Sequence, residues 1–318
     1  MSDGGLVVFG DSLSDAGTFG FRFTTNPGQT WAQIVAQRMG WNSDPYALCN
    51  FADAYLGRTR AISADGGLNF AQGGARVDLP YSAVSDEPWG IPWSATRQVD
   101  AFLAGNEKFS RDQVVVLFVG TNDITYRYDP LIDPVVAAHL RDDIAPTPEF
   151  MIQEIARIEG VAQECVRLAG RLRAHGARRI LVMGTYDLAS APWFVAPAAR
   201  YYVGALARVF NHHLEETIDS AAETGTRFFD TAAFINDLIT EPGYFGFRHG
   251  FGADACAVDG ADFCTAATQR SPTSHRDHVF AASLHFSTAT HELLAERVLR
   301  DIREWPARND DRLRPANR

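Results

Sequence analysis

Short unbroken apolar runs alternate along this chain with longer stretches in which apolar residues return every three or four positions. The unbroken runs are Leu6–Phe9, Val114–Val119 and Ile180–Met183, rich in β-branched residues and bounded by Gly or charged residues; a shorter one, Arg227–Phe229, ends at Asp230. No polar residue alternates through the three longer runs, so neither face is built for water, which suits central strands of a parallel sheet buried on both sides. The helical stretches are Trp31–Met39, Glu149–His175, Ala198–Ala222 and Thr288–Ile302. In the second of these, Ile152, Ile155, Ile158, Val161 and Cys165 follow helical spacing. Strands alternating with helices predict an α/β fold with right-handed crossovers and helices on both faces of the sheet. No linker divides the chain, so 1–307 reads as one domain with a short tail, 308–318. The stretches Asn42–Asn69, Asp78–Trp93 and Pro242–His278 carry many Gly, Pro and aromatic residues and read as long irregular loops, expected to wall a pocket.

Chemistry gathers where the predicted strands end. Phe9-Gly10-Asp11-Ser12-Leu13-Ser14-Asp15 follows the first strand, and in open α/β sheets ligands sit at the carboxyl ends of strands. A Ser on that turn is set for nucleophilic attack, with Gly10 allowing the tight bend; the bland alternative is a Ser or Asp that caps the next helix. Ser14 stands where a Gly-x-Ser-x-Gly elbow would end in Gly, so this is a different turn. Three more segments stand out: Asn69-Phe70-Ala71-Gln72-Gly73-Gly74-Ala75, Val119-Gly120-Thr121-Asn122-Asp123 after the second long apolar run, and Ser283-Leu284-His285-Phe286-Ser287 before the last helix. Each alone reads equally well as a turn, a helix cap or a surface histidine.

In this order, the four segments resemble the sequence blocks of the GDSL, or SGNH, hydrolases over residues 6 to about 302, and Phe23–Trp31 resembles the bacterial secreted lipase and esterase branch. The resemblance implies a flavodoxin-like parallel sheet sandwiched between helices. It implies Ser12 as nucleophile, His285 as its base, and an oxyanion hole made by the Ser12 and Gly74 main-chain N–H groups with the Asn122 side chain. The chemistry fits: a neutral hydroxyl needs a base as it attacks, and preorganised neutral donors stabilise the developing oxyanion. Asp11 and Asp123 read as structural groups at turns and helix starts.

One position departs from the pattern. The resemblance implies an Asp three residues before the His, and here that residue is Ala282; Phe286-Ser287 replaces the Pro-Thr expected after the His. Three readings stay open: a dyad or a substitute carboxylate, of which Asp277 is the nearest upstream; an Asp removed by engineering; or a relative that has lost catalysis. An Asp restored at 282 is expected to raise turnover if the loop keeps the family geometry.

The function expected is hydrolysis of a small-molecule or lipid ester through an acyl-Ser12 intermediate. The alternatives are acyl transfer to an alcohol at the same site and a non-catalytic binding module. A net charge of −10 argues against a nucleic-acid partner, because phosphate backbones are held by clustered Lys and Arg. No cofactor is expected, since neither a Gly-x-x-x-x-Gly-Lys loop nor a Gly-x-Gly-x-x-Gly after the first strand is present. No metal is expected either: His212 and His213 are adjacent on a predicted helix and so diverge, and His291-Glu292 has no second His four residues on. No run reaches the roughly 18 apolar residues of a membrane span. Cys256 and Cys264, in a loop poor in apolar residues, are expected to form a disulfide, whereas Cys165 reads as a small core residue. Met1–Gly5 does not read as a signal peptide, leaving a cytoplasmic protein or a secreted one whose leader is removed, and the cysteines favour the second.

Overall fold

Strand β1 (Leu6–Gly10) pairs in parallel with β2 (Val114–Phe118), β2 with β3 (Ile180–Met183), and β3 with β4 (Thr226–Phe229), giving a four-stranded parallel sheet in the order β1-β2-β3-β4. The computed structural model describes residues 4–49, 63–64, 66–81, 91–219 and 225–305; the expected tail, 308–318, and parts of the loops 42–69 and 78–93 lie outside the described residues. Every residue of β1, β2 and β3 is buried, which is what the unbroken apolar runs predict. Full burial of a Val, Leu, Ile or Phe side chain contributes about 1.5–3 kcal/mol, so these strands anchor the core.

Helices flank the sheet. Helix α1 (Trp31–Arg38) follows β1, and α2 (Ala95–Gly105) precedes β2. Helices α3 (Thr121–Thr125), α4 (Pro134–Arg141) and α5 (Pro148–Ala174) lie between β2 and β3. Helix α6 (Pro197–Asp219) joins β3 to β4, and α7 (Thr231–Thr240) follows β4. Helix α5 starts where Thr147 accepts a hydrogen bond from Phe150 N–H and Pro148 fills the first helical turn, where a missing N–H costs nothing. Its buried stripe is Met151, Glu154, Ile158, Ala162, Cys165, Leu168 and Leu172. Ile152, which the spacing assigned to that stripe, is 66% exposed. The first turn is rotated relative to the expected face because Met151 and Glu154 occupy the inward positions, Glu154 held there by Arg127, Arg157 and Tyr202.

The stretch Pro242–His278 is not all irregular. It contains β5 (His249–Asp254), which pairs in parallel with β6 (His278–Ala282); β6 then turns back antiparallel onto β7 (His285–Phe286). This second sheet escaped the apolar pattern because β5 is only partly buried and β7 has two residues. Helix α8 (Thr288–Arg303) follows at once, capped by Ser287, whose side chain accepts from Thr290 N–H at 3.2 Å.

Candidate active site

The turn after β1 is fixed by three buried side chains. Gln98, on α2, accepts from Gly10 N–H at 2.9 Å and donates to the Gly10 carbonyl at 2.9 Å, completing the strand where its ladder stops. A Cβ at Gly10 would stand 2.3 Å from the Phe118 carbonyl oxygen of β2, so only Gly fits. Asp11 Oδ1 accepts from Leu13 N–H at 3.0 Å. Asp15 receives the N–H groups of Gly17, Thr18 and, at 3.0 Å, Gly73, tying the nucleophile turn to the double-glycine loop. Burial pushes the Asp11 carboxyl up to about 7 and that of Asp15 to about 6. Asp123 ties a third segment in: it accepts from Arg76 Nε and from Val77 N–H, both at 2.9 Å. Asp15 and Asp123 staple segments together and Asp11 braces its own turn, structural places of the kind that the sequence reading of Asp11 and Asp123 expected.

Held this way, Ser12 is 7% exposed and its Oγ lies 2.8 Å from His285 Nε2. The two residues are 273 positions apart. His285 is carried by β7, and Phe23 packs beside its ring at 5.0 Å between centroids. Burial lowers the imidazole's basicity, and Asp262 opposes that shift by its charge and by a main-chain contact. Nδ1 is buried with no hydrogen-bond partner among the described residues.

The two other expected donors border the same cavity, of about 600 Å³, with Ser12 and His285. Gly74 has φ +84°, a left-handed conformation that favours Gly, and a side chain there would press on Pro92 at 3.1 Å. A Cβ at the neighbouring Gly73 would overlap the Phe23 ring at 2.1 Å. Asn122 sits in the first turn of α3, after Gly120 at φ +125°. One of its amide protons goes to the Ala75 carbonyl at 2.9 Å, which aims the amide and leaves the second proton for a ligand. Phe19, Ile91, Trp193 and Leu131 supply apolar wall.

Asp277 does not approach His285. Its carboxylate accepts from Thr273 Oγ1 at 2.6 Å and lies 4.0 Å from Arg248, which holds it below the usual carboxylate range. It stands just before β6, whereas His285 pairs with Ala282 at that strand's far end. Five extended residues span about 16 Å, out of hydrogen-bond reach. Ala282 is 1% exposed and packs with Ala281 against the Cys256–Cys264 disulfide, which the protein forms as expected. The space beside position 282 therefore contains a cystine. Cys165 is buried and unpaired.

Sequence reasoning missed Gln98, Arg76, Phe23 and Asp262. Asp262 lay inside the loop bounded by the two cysteines, but nothing in the spacing told which strand that loop would lie against. Gln98 follows Ser94, whose side chain caps α2 by accepting from Arg97 N–H; the cap was legible, the inward face of the helix was not.

Comparison with known proteins gives a consistent family. The model of the GDSL-like lipase/acylhydrolase family matches residues 6–298. Among solved structures, the acetylxylan esterase Axe2 from Geobacillus stearothermophilus is 17% identical with a TM-score of 0.43, the alignment covering 97% of this chain and 100% of that one. The aryl esterase of M. smegmatis is 14% identical with a TM-score of 0.39, covering 95% and 99%. Est24, a carbohydrate acetylesterase from Sinorhizobium meliloti, is 14% identical with a TM-score of 0.38, covering 94% and 98%. No curated protein matches the chain in sequence.

Proposed function

Because the chain belongs to the GDSL-like lipase/acylhydrolase family, we propose that it hydrolyses carboxylic esters by passing the acyl group to Ser12 and then to water. The observation that carries this reading is the 2.8 Å contact between Ser12 Oγ and His285 Nε2 at the wall of a cavity. As Oγ attacks the ester carbonyl, its proton passes to Nε2. The carbonyl oxygen becomes an oxyanion facing the Ser12 and Gly74 N–H groups and the free proton of Asn122. Collapse expels the alcohol, which takes the proton from Nε2. Water then attacks the acyl-Ser12 ester with His285 again as base, and Ser12 recovers its proton.

The apolar wall of the cavity supports an ester with an apolar acyl or aryl group, since such a group fills it without leaving polar atoms unpaired. The disulfide supports an oxidising compartment, and so a secreted or periplasmic protein. The test is turnover of p-nitrophenyl acetate and octanoate by the full chain and by Ser12→Ala. Loss of at least about ten-thousandfold in kcat is expected, together with loss of labelling by a fluorophosphonate at an unchanged circular dichroism spectrum. Persisting turnover in Ser12→Ala would sink the reading. Free acid as sole product in the presence of an added alcohol separates hydrolysis from acyl transfer.

A further inference from the structure

The imidazole of a serine hydrolase works best when its far nitrogen is held by an acceptor, which fixes the tautomer and stabilises the cation formed as the serine proton arrives. In this protein the far nitrogen, Nδ1 of His285, faces no such acceptor on its own hairpin, where the resemblance implies a carboxylate and Ala282 stands instead.

A different segment comes to that side of the ring. Residues 257–263 form a loop closed by the Cys256–Cys264 disulfide, and that disulfide packs on Ala281 and Ala282 of β6. The loop is pinned on both sides of Asp262. Before it, the Ala261 carbonyl accepts from Ser283 Oγ at 2.9 Å and from Ser283 N–H at 3.3 Å, two residues from His285. After it, Phe263 stacks on Phe21 with ring centroids 4.1 Å apart, and the Cys264 carbonyl accepts from Asn26 N–H at 2.7 Å. Between these anchors Asp262 borders the cavity together with Ser12 and His285. An Asp side chain at 282 would have to occupy space that the cystine fills, so the Ala and the stapled loop go together.

We propose that Asp262 is the positioning residue of the base: presented by the disulfide-closed loop, it stands in for the missing carboxylate by holding His285 from the Nδ1 side. This rests on the reading of Ser12 and His285 as nucleophile and base. Asp262 opposes the burial of the ring both through its charge and through its main chain, and among main-chain groups only a carbonyl favours the cation. Of the other titratable groups around the ring, His291 of α8 is held neutral by burial, its pKa pushed down to about 3. Asp15 and Asp123 spend their oxygens on main-chain N–H groups and Arg76, and Asp11 Oδ1 accepts from Leu13 N–H while its Oδ2 is buried with no hydrogen-bond partner among the described residues. Asp262 is exposed, so water screens its charge and its effect is smaller than that of a buried triad carboxylate.

The decisive measurement is the titration of the His285 imidazole by NMR in the oxidised full-length protein, its signal identified among the nine histidines by its loss in His285→Gln. In Asp262→Asn the titration midpoint is expected to fall by about half a unit, because removing a nearby anion destabilises the imidazolium. Asp262→Glu should restore part of the shift, and Asp259→Asn, a charge change in the same loop, should leave the midpoint in place. In steady-state hydrolysis of p-nitrophenyl acetate, the base must be neutral to act, so kcat/KM rises with pH through this midpoint. The acidic limb should therefore move to lower pH in Asp262→Asn. kcat on the plateau should fall about three- to thirtyfold with KM within twofold. A His285 midpoint and acidic limb that stay at the parent values in Asp262→Asn would overturn the proposal, even if kcat falls. The NMR titration reads the contact whether or not the protein turns over an ester, so an inactive parent would count against the hydrolase reading alone.

Discussion

The proposed nucleophile and its proposed base are held in place by unlike means. Ser12 is carried by the main sheet: its turn leaves a strand buried on both faces, Gln98 and Asp15 stitch it to α2 and to the double-glycine loop, Asp11 braces the turn itself, and Asp123 ties the segment after that loop to α3. His285 is carried by a two-residue strand at the end of a small second sheet, with a cystine and a stapled loop as its backing. One side is fixed by a polar network inside a large core. The other borrows that same core through Phe280, Leu284 and Phe286 and adds a covalent bond beside it, in the small cluster of Cys256, Cys264, Ala281 and Ala282. A buried polar network defines position through the directions of its hydrogen bonds; a cross-link does so by a covalent constraint that needs little further apolar burial.

The contrast can be broken from either side. On the nucleophile side, Asn122→Ala removes a neutral donor aimed by the Ala75 carbonyl. A fall of about a hundredfold or more in kcat with KM nearly unchanged is expected in steady-state kinetics, the signature of an interaction used in the transition state; an unchanged kcat removes Asn122 from the oxyanion hole. On the base side, Ala282→Asp places a carboxylate against the disulfide. The sequence alone suggested a gain in turnover; the packing around 282 leads us to expect a loss of stability of about 2–4 kcal/mol, read from denaturant unfolding, with no gain in kcat. A tenfold gain at unchanged stability would mean that the base side lacks its carboxylate after all and would count against Asp262. The smallest effect returns to the network. Asp11, raised to about 7 from 3.8, binds its proton more tightly folded than unfolded, so its charged form costs stability. That cost is absent below about pH 4, grows between pH 4 and 7 and stays constant above. Asp11→Asn should therefore match the parent at pH 4 and exceed it by a few degrees in Tm at pH 8, an effect bounded by the roughly 4 kcal/mol that about three pKa units represent. A difference in Tm that does not vary with pH would show that the carboxylate is not the cause.

The same contrast governs how much of the molecule is legible in its amino-acid order. Leu6–Gly10, Val114–Phe118 and Ile180–Met183 are central strands with no polar face, and an unbroken apolar run announces that directly. Ser12 and Asn122 follow apolar runs, so their place at one end of the sheet was legible from local pattern, whereas Gly74 joined them only through the family resemblance. His249–Asp254 is half exposed and β7 is two residues long, too weak a signal for any periodicity. Asp262 was invisible for another reason: its role depends on which strand the stapled loop meets, a contact made across tertiary distance. Asp277 attracted notice because it was near in sequence, yet a strand runs in the direction that carries it away from the ring.

The separation of 273 positions from Ser12 to His285 also sets a clock. A ribosome adding about 5–20 residues per second delivers the base roughly 14–55 s after the nucleophile. During that interval the growing chain can begin to assemble its sheet while its serine has no partner. With Ser12 and His285 in their proposed roles, esterase chemistry waits for residue 285 to be made, and a truncated product ending before it is expected to be inert.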